Sequence, residues 1–123
     1  MRASALIVAR PGPLLDGLHA LVGSMPQIGA VSAVSDVYAA PRLGLGAGPA
    51  LVLLDGDQNG EKAWRIVRRA RACWPEARTI ILVSTVQQQA EAEAAGADAV
   101  LLQGLPAGRI IAAIVKLLPQ PVP

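Results

Sequence analysis

Phenylalanine is absent from the 123-residue chain, and tryptophan and tyrosine together make up only 2% of it. A core without aromatic bulk must be built from Ala, Val, Leu and Ile, which dominate a hydrophobic fraction of 53%. Cysteine is nearly absent too. Cys73 is the only one, so no internal disulfide framework exists. In Ala72-Cys73-Trp74-Pro75 its expected role is that of a small hydrophobe. No apolar run reaches the roughly 18 residues of a membrane span. The N-terminus lacks an apolar segment followed by a small-residue cleavage site. The expectation is a cytoplasmic protein with no membrane contact.

Charge is sparse as well. Charged residues make up 16% of the chain, the net charge is +2, and the isoelectric point is about 9.2. Eleven basic residues spread along the chain do not make a nucleic-acid footprint by themselves. They cluster once, at Arg65, Arg68, Arg69 and Arg71 with Lys62 beside them. That cluster reads as a solvated helix face, or as a surface for an acidic partner or nucleic acid. His19 falls on a helical stretch and is expected at the surface. Trp64 and Trp74 are expected to be packing residues.

What is present is an alternation of aliphatic runs and helical patterns. Ala5 to Val8 is a short aliphatic strand. Pro13 to Val22 carries Leu14, Leu15, Leu18, Leu21 and Val22 at helical spacing. Ile28 to Val34 is β-branched and alternating. Ser35-Asp36 offers a helix cap, but Pro41, Gly44, Gly46 and Gly48 make any helix there short or irregular. Ala50 to Leu54 is a third strand and Glu61 to Cys73 a basic helix. Thr79 to Val83 is a fourth strand. Gln87 to Ala95 is a helix by propensity, closed by Gly96. Ala99 to Leu102 is a fifth strand, and Pro106 to Leu118 a last helix with proline in its first turn.

Five such units predict one α/β domain over residues 1–118: a flavodoxin-like, doubly wound, five-stranded parallel sheet, (βα)5. Parallel strands buried on both faces read as aliphatic runs, as these do. Pro119-Gln120-Pro121-Val122-Pro123 cannot extend the last helix and reads as a linker stub or frayed end.

The run Leu51-Val52-Leu53-Leu54-Asp55-Gly56-Asp57 drives a strand into two carboxylates. Ligands of open α/β sheets bind just beyond the carboxyl ends of the strands. Asp55 is therefore a phosphoryl acceptor, a metal ligand or a cap. Asp57 either offers an oxygen to a metal or caps the helix starting near Gly60. Ser84 and Thr85 either bind phosphate or cap the helix starting near Gln87.

The order of motifs resembles a response-regulator receiver domain, CheY-like, over Ala5 to about Leu118. The most specific stretch is Gly96-Ala97-Asp98-Ala99-Val100-Leu101-Leu102-Gln103-Gly104-Leu105-Pro106-Ala107. It is similar to the fifth strand and following turn of receivers attached to helix-turn-helix output domains. Leu53-Leu54-Asp55 is similar to the strand carrying the phosphoacceptor, and Leu82-Val83-Ser84 to the strand ending in a phosphate-contacting hydroxyl. The resemblance implies strand order 2-1-3-4-5, two-component signalling and a phosphorelay in which a histidine kinase is the donor. It also implies an acidic pair after the first strand and a lysine after the fifth, which hold Mg²⁺ and the phosphoryl group.

This chain departs from that set. Asp55 matches the acceptor and Ser84 the hydroxyl, but the acidic pair is replaced by Ala9 and Arg10, and the lysine by Gln103. Two unit charges about 4 Å apart interact by roughly 4 kcal/mol at an effective dielectric of about 20. A guanidinium near the metal position therefore opposes a divalent cation. The expectation is an atypical receiver with no cofactor, no metal and no enzymatic activity. Arg10 is expected to point into the crevice and pair with Asp55 or Asp57. A conventional receiver phosphorylated on Asp55 is the alternative. A small haloacid-dehalogenase-like phosphatase is a third reading, since Leu53-Leu54-Asp55-Gly56-Asp57 and Leu82-Val83-Ser84 resemble its first two motifs.

The last helix has more apolar residues than one stripe can bury: Ile110, Ile111, Ile114, Val115, Leu117 and Leu118. Ile111, Val115 or Leu118 is expected at an interface, with a second copy forming a homodimer or with a partner or output domain. Nucleic acid would be reached only through an output domain outside this chain.

Overall fold

A computed structural model describes residues 3–37, 48–57 and 61–118. Five strands, β1 (Ala3–Val8), β2 (Ile28–Val34), β3 (Leu51–Asp55), β4 (Arg78–Val83) and β5 (Ala99–Leu102), form one sheet. Its order is β2-β1-β3-β4-β5 and every pairing is parallel, as expected. The described helices are α1 (Pro13–Gly23), α2 (Ala63–Cys73), α3 (Val86–Ala94) and α4 (Ala107–Leu117).

Strand alternation divides the core in two. Leu6, Val8, Val52, Leu54, Ile81 and Val83 pack against α2 and α3 on one face. Ile7, Ala9, Leu51, Leu53, Ile80 and Leu82 pack against α1 and α4 on the other. Both layers are aliphatic, as a chain without phenylalanine requires. Parallel strands joined this way bring β1, β3, β4 and β5 to one edge with their carboxyl ends, and the polar residues at those ends meet there.

Boundaries moved by one or two residues. Pro106 stands just before α4 as its N-cap, and Gly96 follows α3 with a φ of 100°, the left-handed conformation that ends a helix without strain. Thr85 caps α3 as one of the two readings held. Its hydroxyl accepts from the Gln88 N–H at 3.1 Å, while the Gln88 side chain accepts from the Thr85 N–H at 3.1 Å. The basic helix starts at Ala63 with Lys62 as its N-cap and no side-chain cap bond, so Asp57 does not cap it. After β2, Ser35 to Val37 form a bend and turn, and the expected irregular helix beyond lies outside the described residues. The tail from Pro119 lies outside them too.

At the opposite end of the sheet, Asp98 ties β5 to β4. Its carboxylate accepts from the Thr79 N–H at 2.8 Å and lies 3.6 Å from the Arg78 guanidinium.

With both layers built from fully buried aliphatics, Leu53→Ala should cost about 3 kcal/mol in urea unfolding. Val86→Ala, at a side chain 71% exposed, should change stability by less than about 0.5 kcal/mol.

Candidate functional site

The site sits where β1, β3, β4 and β5 end. Asp55 is the last residue of β3, opposite Leu82 of β4. The chain then turns through Gly56, whose N–H donates to the Leu82 carbonyl at 2.7 Å. A Cβ at Gly56 would lie 2.5 Å from that same carbonyl, so only glycine allows so close an approach. The turn returns Asp57 to the site, and its N–H donates to Asp55 Oδ1 at 3.0 Å.

Asp57 is where the loops converge. Ser84, just past β4, donates its hydroxyl to Asp57 Oδ2. Gln88, in the first turn of α3, donates its amide to Asp57 Oδ1 at 3.1 Å. Gln103, just past β5, donates its amide to Asp57 Oδ2 at 3.3 Å and lies 3.5 Å from Asp55 Oδ1. Gln103 is itself placed by its N–H bond to the Val83 carbonyl at 2.8 Å. The structure therefore brings Asp55, Asp57, Ser84 and Gln103 together.

Gln88 was not singled out from the sequence, where it reads only as a helix former. Its side-chain carbonyl accepts from the Ser84 and Thr85 N–H groups at 2.8 and 3.1 Å, while its amide holds Asp57. The signal that would have found it is Thr85-Val86-Gln87-Gln88, a capping-box spacing. Beside this network a cleft of about 290 Å³ opens between the first turns of α2 and α3, with Asp57, Lys62, Thr85 and Gln88 in its wall.

Ala9 closes the β1 side. It is 1% exposed, packs with the layer under α1 and α4, and donates its N–H to the Val34 carbonyl. Arg10 follows it and is exposed at the end of β1. β1 contributes no carboxylate at this end, since the Ala9 side chain is a methyl, and both oxygens of Asp57 accept from neutral donors.

Two surfaces complete the description. On α4, Ile114 and Leu118 (5% exposed) are buried in the chain's own core, whereas Ile111 and Val115 are 37% and 42% exposed. On α3 the buried side chain is Ala92 alone among the described residues. Among the described residues no helix is long and apolar enough to cross a membrane.

No protein-family model matches the chain, and no curated protein matches it by sequence. Solved structures do. A two-component response regulator of the LuxR family from Aurantimonas is similar at 21% identity and a TM-score of 0.79, over 94% of this chain and 84% of that one. The signal receiver domain of a DNA-binding response regulator (merR) from Colwellia psychrerythraea is similar at 19% and 0.78, over 94% and 97%. A CheY-like receiver domain protein from Methanospirillum hungatei is similar at 15% and 0.78, over 94% and 93%. At these identities the likeness establishes the fold, which is the receiver fold with its strand order.

Two substitutions test the network. Gln88→Ala should lower stability by about 1 to 2 kcal/mol by removing both the cap and the Asp57 contact. Gln88→Glu keeps an acceptor for the cap but sets a second carboxylate against Asp57. Chemical denaturation should show Gln88→Glu destabilised as well, with salt reducing the difference.

Proposed function

We propose that this receiver fold serves as a two-component-type signalling module that acts through protein–protein contact, without Mg²⁺-dependent phosphorylation of Asp55. One observation carries the reading. The acceptor-equivalent Asp55 and its neighbour Asp57 are held by the amide of Gln103, and Asp57 also by Ser84 and Gln88. These donors link the ends of β3, β4 and β5 through side-chain hydrogen bonds. Arg10 adds a fixed positive charge at the end of β1, where a divalent ion would need carboxylates. In this reading Arg10 pairs with the acidic end of the site, and the site stays in one arrangement whatever a kinase does.

The proposed output is contact. Ile111 and Val115 lie one helical turn apart on α4, with Gly108 and Ala112 on the same exposed side, and form a small apolar face. That face fits a second copy of the chain or an output domain. Leu118, expected there as well, is packed against the sheet with Ile114, which leaves Ile111 and Val115 to make the contact.

Incubation with Mg²⁺ and acetyl phosphate should leave the intact mass unchanged, and beryllofluoride should not shift the amide resonances of Asp55, Ser84 or Gln103. A phosphoryl adduct on Asp55 would instead establish the conventional receiver. A phosphatase of the haloacid-dehalogenase kind would release phosphate from a small aryl phosphate, which this module should not do. The triple variant Ala9→Asp, Arg10→Asp, Gln103→Lys should regain Mg²⁺ binding and phosphorylation. Its Ala9→Asp change buries a carboxylate. Without Mg²⁺ that should cost about 3 kcal/mol, and Mg²⁺ should recover it as a rise in Tm.

Sedimentation tests the contact. The chain should self-associate with rising concentration, and Ile111→Asp with Val115→Asp should abolish this without unfolding the protein. A wild-type chain that stays monomeric at high concentration would leave an output domain as the face's partner.

A further inference from the structure

We infer that the exposed side of α2 is a docking surface for an acidic protein segment, separate from the site at the strand ends and from the face of α4. The stretch from Lys62 to Arg71 carries five cations, and no carboxylate occurs between Lys62 and Pro75. Ala63, Ile66, Val67 and Ala70 turn one side of the helix into the core. Lys62, Arg65, Arg68 and Arg69 are all exposed on the other side.

Like charges crowd this side of the helix. Lys62 and Arg65, Arg65 and Arg68, and Arg65 and Arg69 are like charges three or four residues apart, a spacing at which they repel. Lys62 and Arg65 also stand at the helix N-terminus, where the helix dipole disfavours cations and favours carboxylates. The first turn holds no acidic residue, and no side chain caps it. By contrast, α3 is closed by a complete capping box. A helix that departs from its own stability rules on one exposed side marks that side as serving something other than folding.

Two features define the partner. The guanidinium carbons of Arg65 and Arg68 lie over the Trp64 ring, 5.6 and 5.0 Å from its centre. A guanidinium drawn to an indole in this way keeps its N–H donors for a carboxylate, which it can meet in a fork. It also occupies the indole, which is then no free platform for stacking a nucleobase. Trp and Arg together are the residues most enriched where protein interfaces concentrate their energy. The complementary surface is a segment with Asp or Glu side chains three or four residues apart, matching Arg65 and Arg68. Arg71 is not part of the contact, because its guanidinium is spent on the Gly96 carbonyl at 2.9 Å and braces α2 against the end of α3.

The inference does not depend on whether Asp55 takes a phosphoryl group. It is also compatible with self-association, since α2 and α4 cover opposite faces of the sheet.

The test titrates the full chain with a synthetic helical peptide bearing glutamates three and four residues apart, followed by ¹⁵N–¹H spectra. The same peptide with glutamine for glutamate is one control, and a short DNA duplex is another. The expected result is movement of the Ala63–Cys73 amides and of the Trp64 indole signal with the glutamate peptide, weakening as salt rises. The pair R65Q and R68Q should weaken binding about five- to tenfold, while K116Q on α4 should leave it unchanged. The inference fails if the peptide leaves α2 unperturbed, or if the glutamine peptide binds equally well. It also fails if the DNA duplex binds α2 more tightly than the peptide, which would make the face a nucleic-acid surface. Because the wild-type titration alone shows where the peptide sits, these outcomes hold even if the double variant is unstable.

Discussion

A parallel sheet buried on both faces leaves polar side chains few places to go. In this chain neither face can accept them, because α1 and α4 cover one side and α2 and α3 the other. The residues leading to the carboxyl ends of β1, β3, β4 and β5 are aliphatic, and the side chains with chemistry in them gather beyond those ends. Asp55, Ser84 and Gln103 are neighbours for this reason, although 48 residues separate the first from the last. The same constraint explains Ala9. At the end of β1 it sits inside the α1–α4 layer, where a methyl group belongs to the core and a carboxylate would need a charge partner.

Neutral donors change how such a site behaves. An amide or hydroxyl satisfies a carboxylate oxygen through direction, and a metal ion does so through charge. The bonds at Asp57 come from two connections, Ser84 and Gln88 from the one that enters α3 and Gln103 from the one after β5, so both are fixed relative to β3. These neutral donors on Asp57 are the ground on which the proposed contact-driven reading rests.

Much of the fold was legible because its signals are local and strong. Aliphatic runs located β1, β3, β4 and β5, and a β-branched, alternating run located β2, while Gly96 marked a helix end by its left-handed conformation and Pro106 a helix start by its missing N–H. Strand order came from the resemblance, since periodicity alone cannot say which strands pair. The site was legible residue by residue but not as a network. Asp55, Asp57, Ser84 and Gln103 could be named from the sequence. The roles of Asp57 and Gln88 could not, because they depend on a bond across 31 residues that no spacing encodes. Gly56 also reads as an ordinary turn glycine until the Leu82 carbonyl is seen beside it. On α4 the excess of apolar residues was visible, but which of them face outward depended on how the helix rotates onto the sheet. Leu118 turned in, and Ile111 turned out.

The double use of Gln88 has a consequence for local unfolding. Its carbonyl closes the first turn of α3 and its amide holds Asp57, so the helix and the acidic site share one residue. With Ala92 as its buried side chain, α3 has little apolar surface of its own to resist opening. Fraying of its first turn therefore removes one of the three side-chain donors to Asp57 at the same moment, which couples the helix to the site. A partner that binds the frayed form would loosen the carboxylates from a distance, and a ligand that holds Asp57 would stiffen a helix it does not touch.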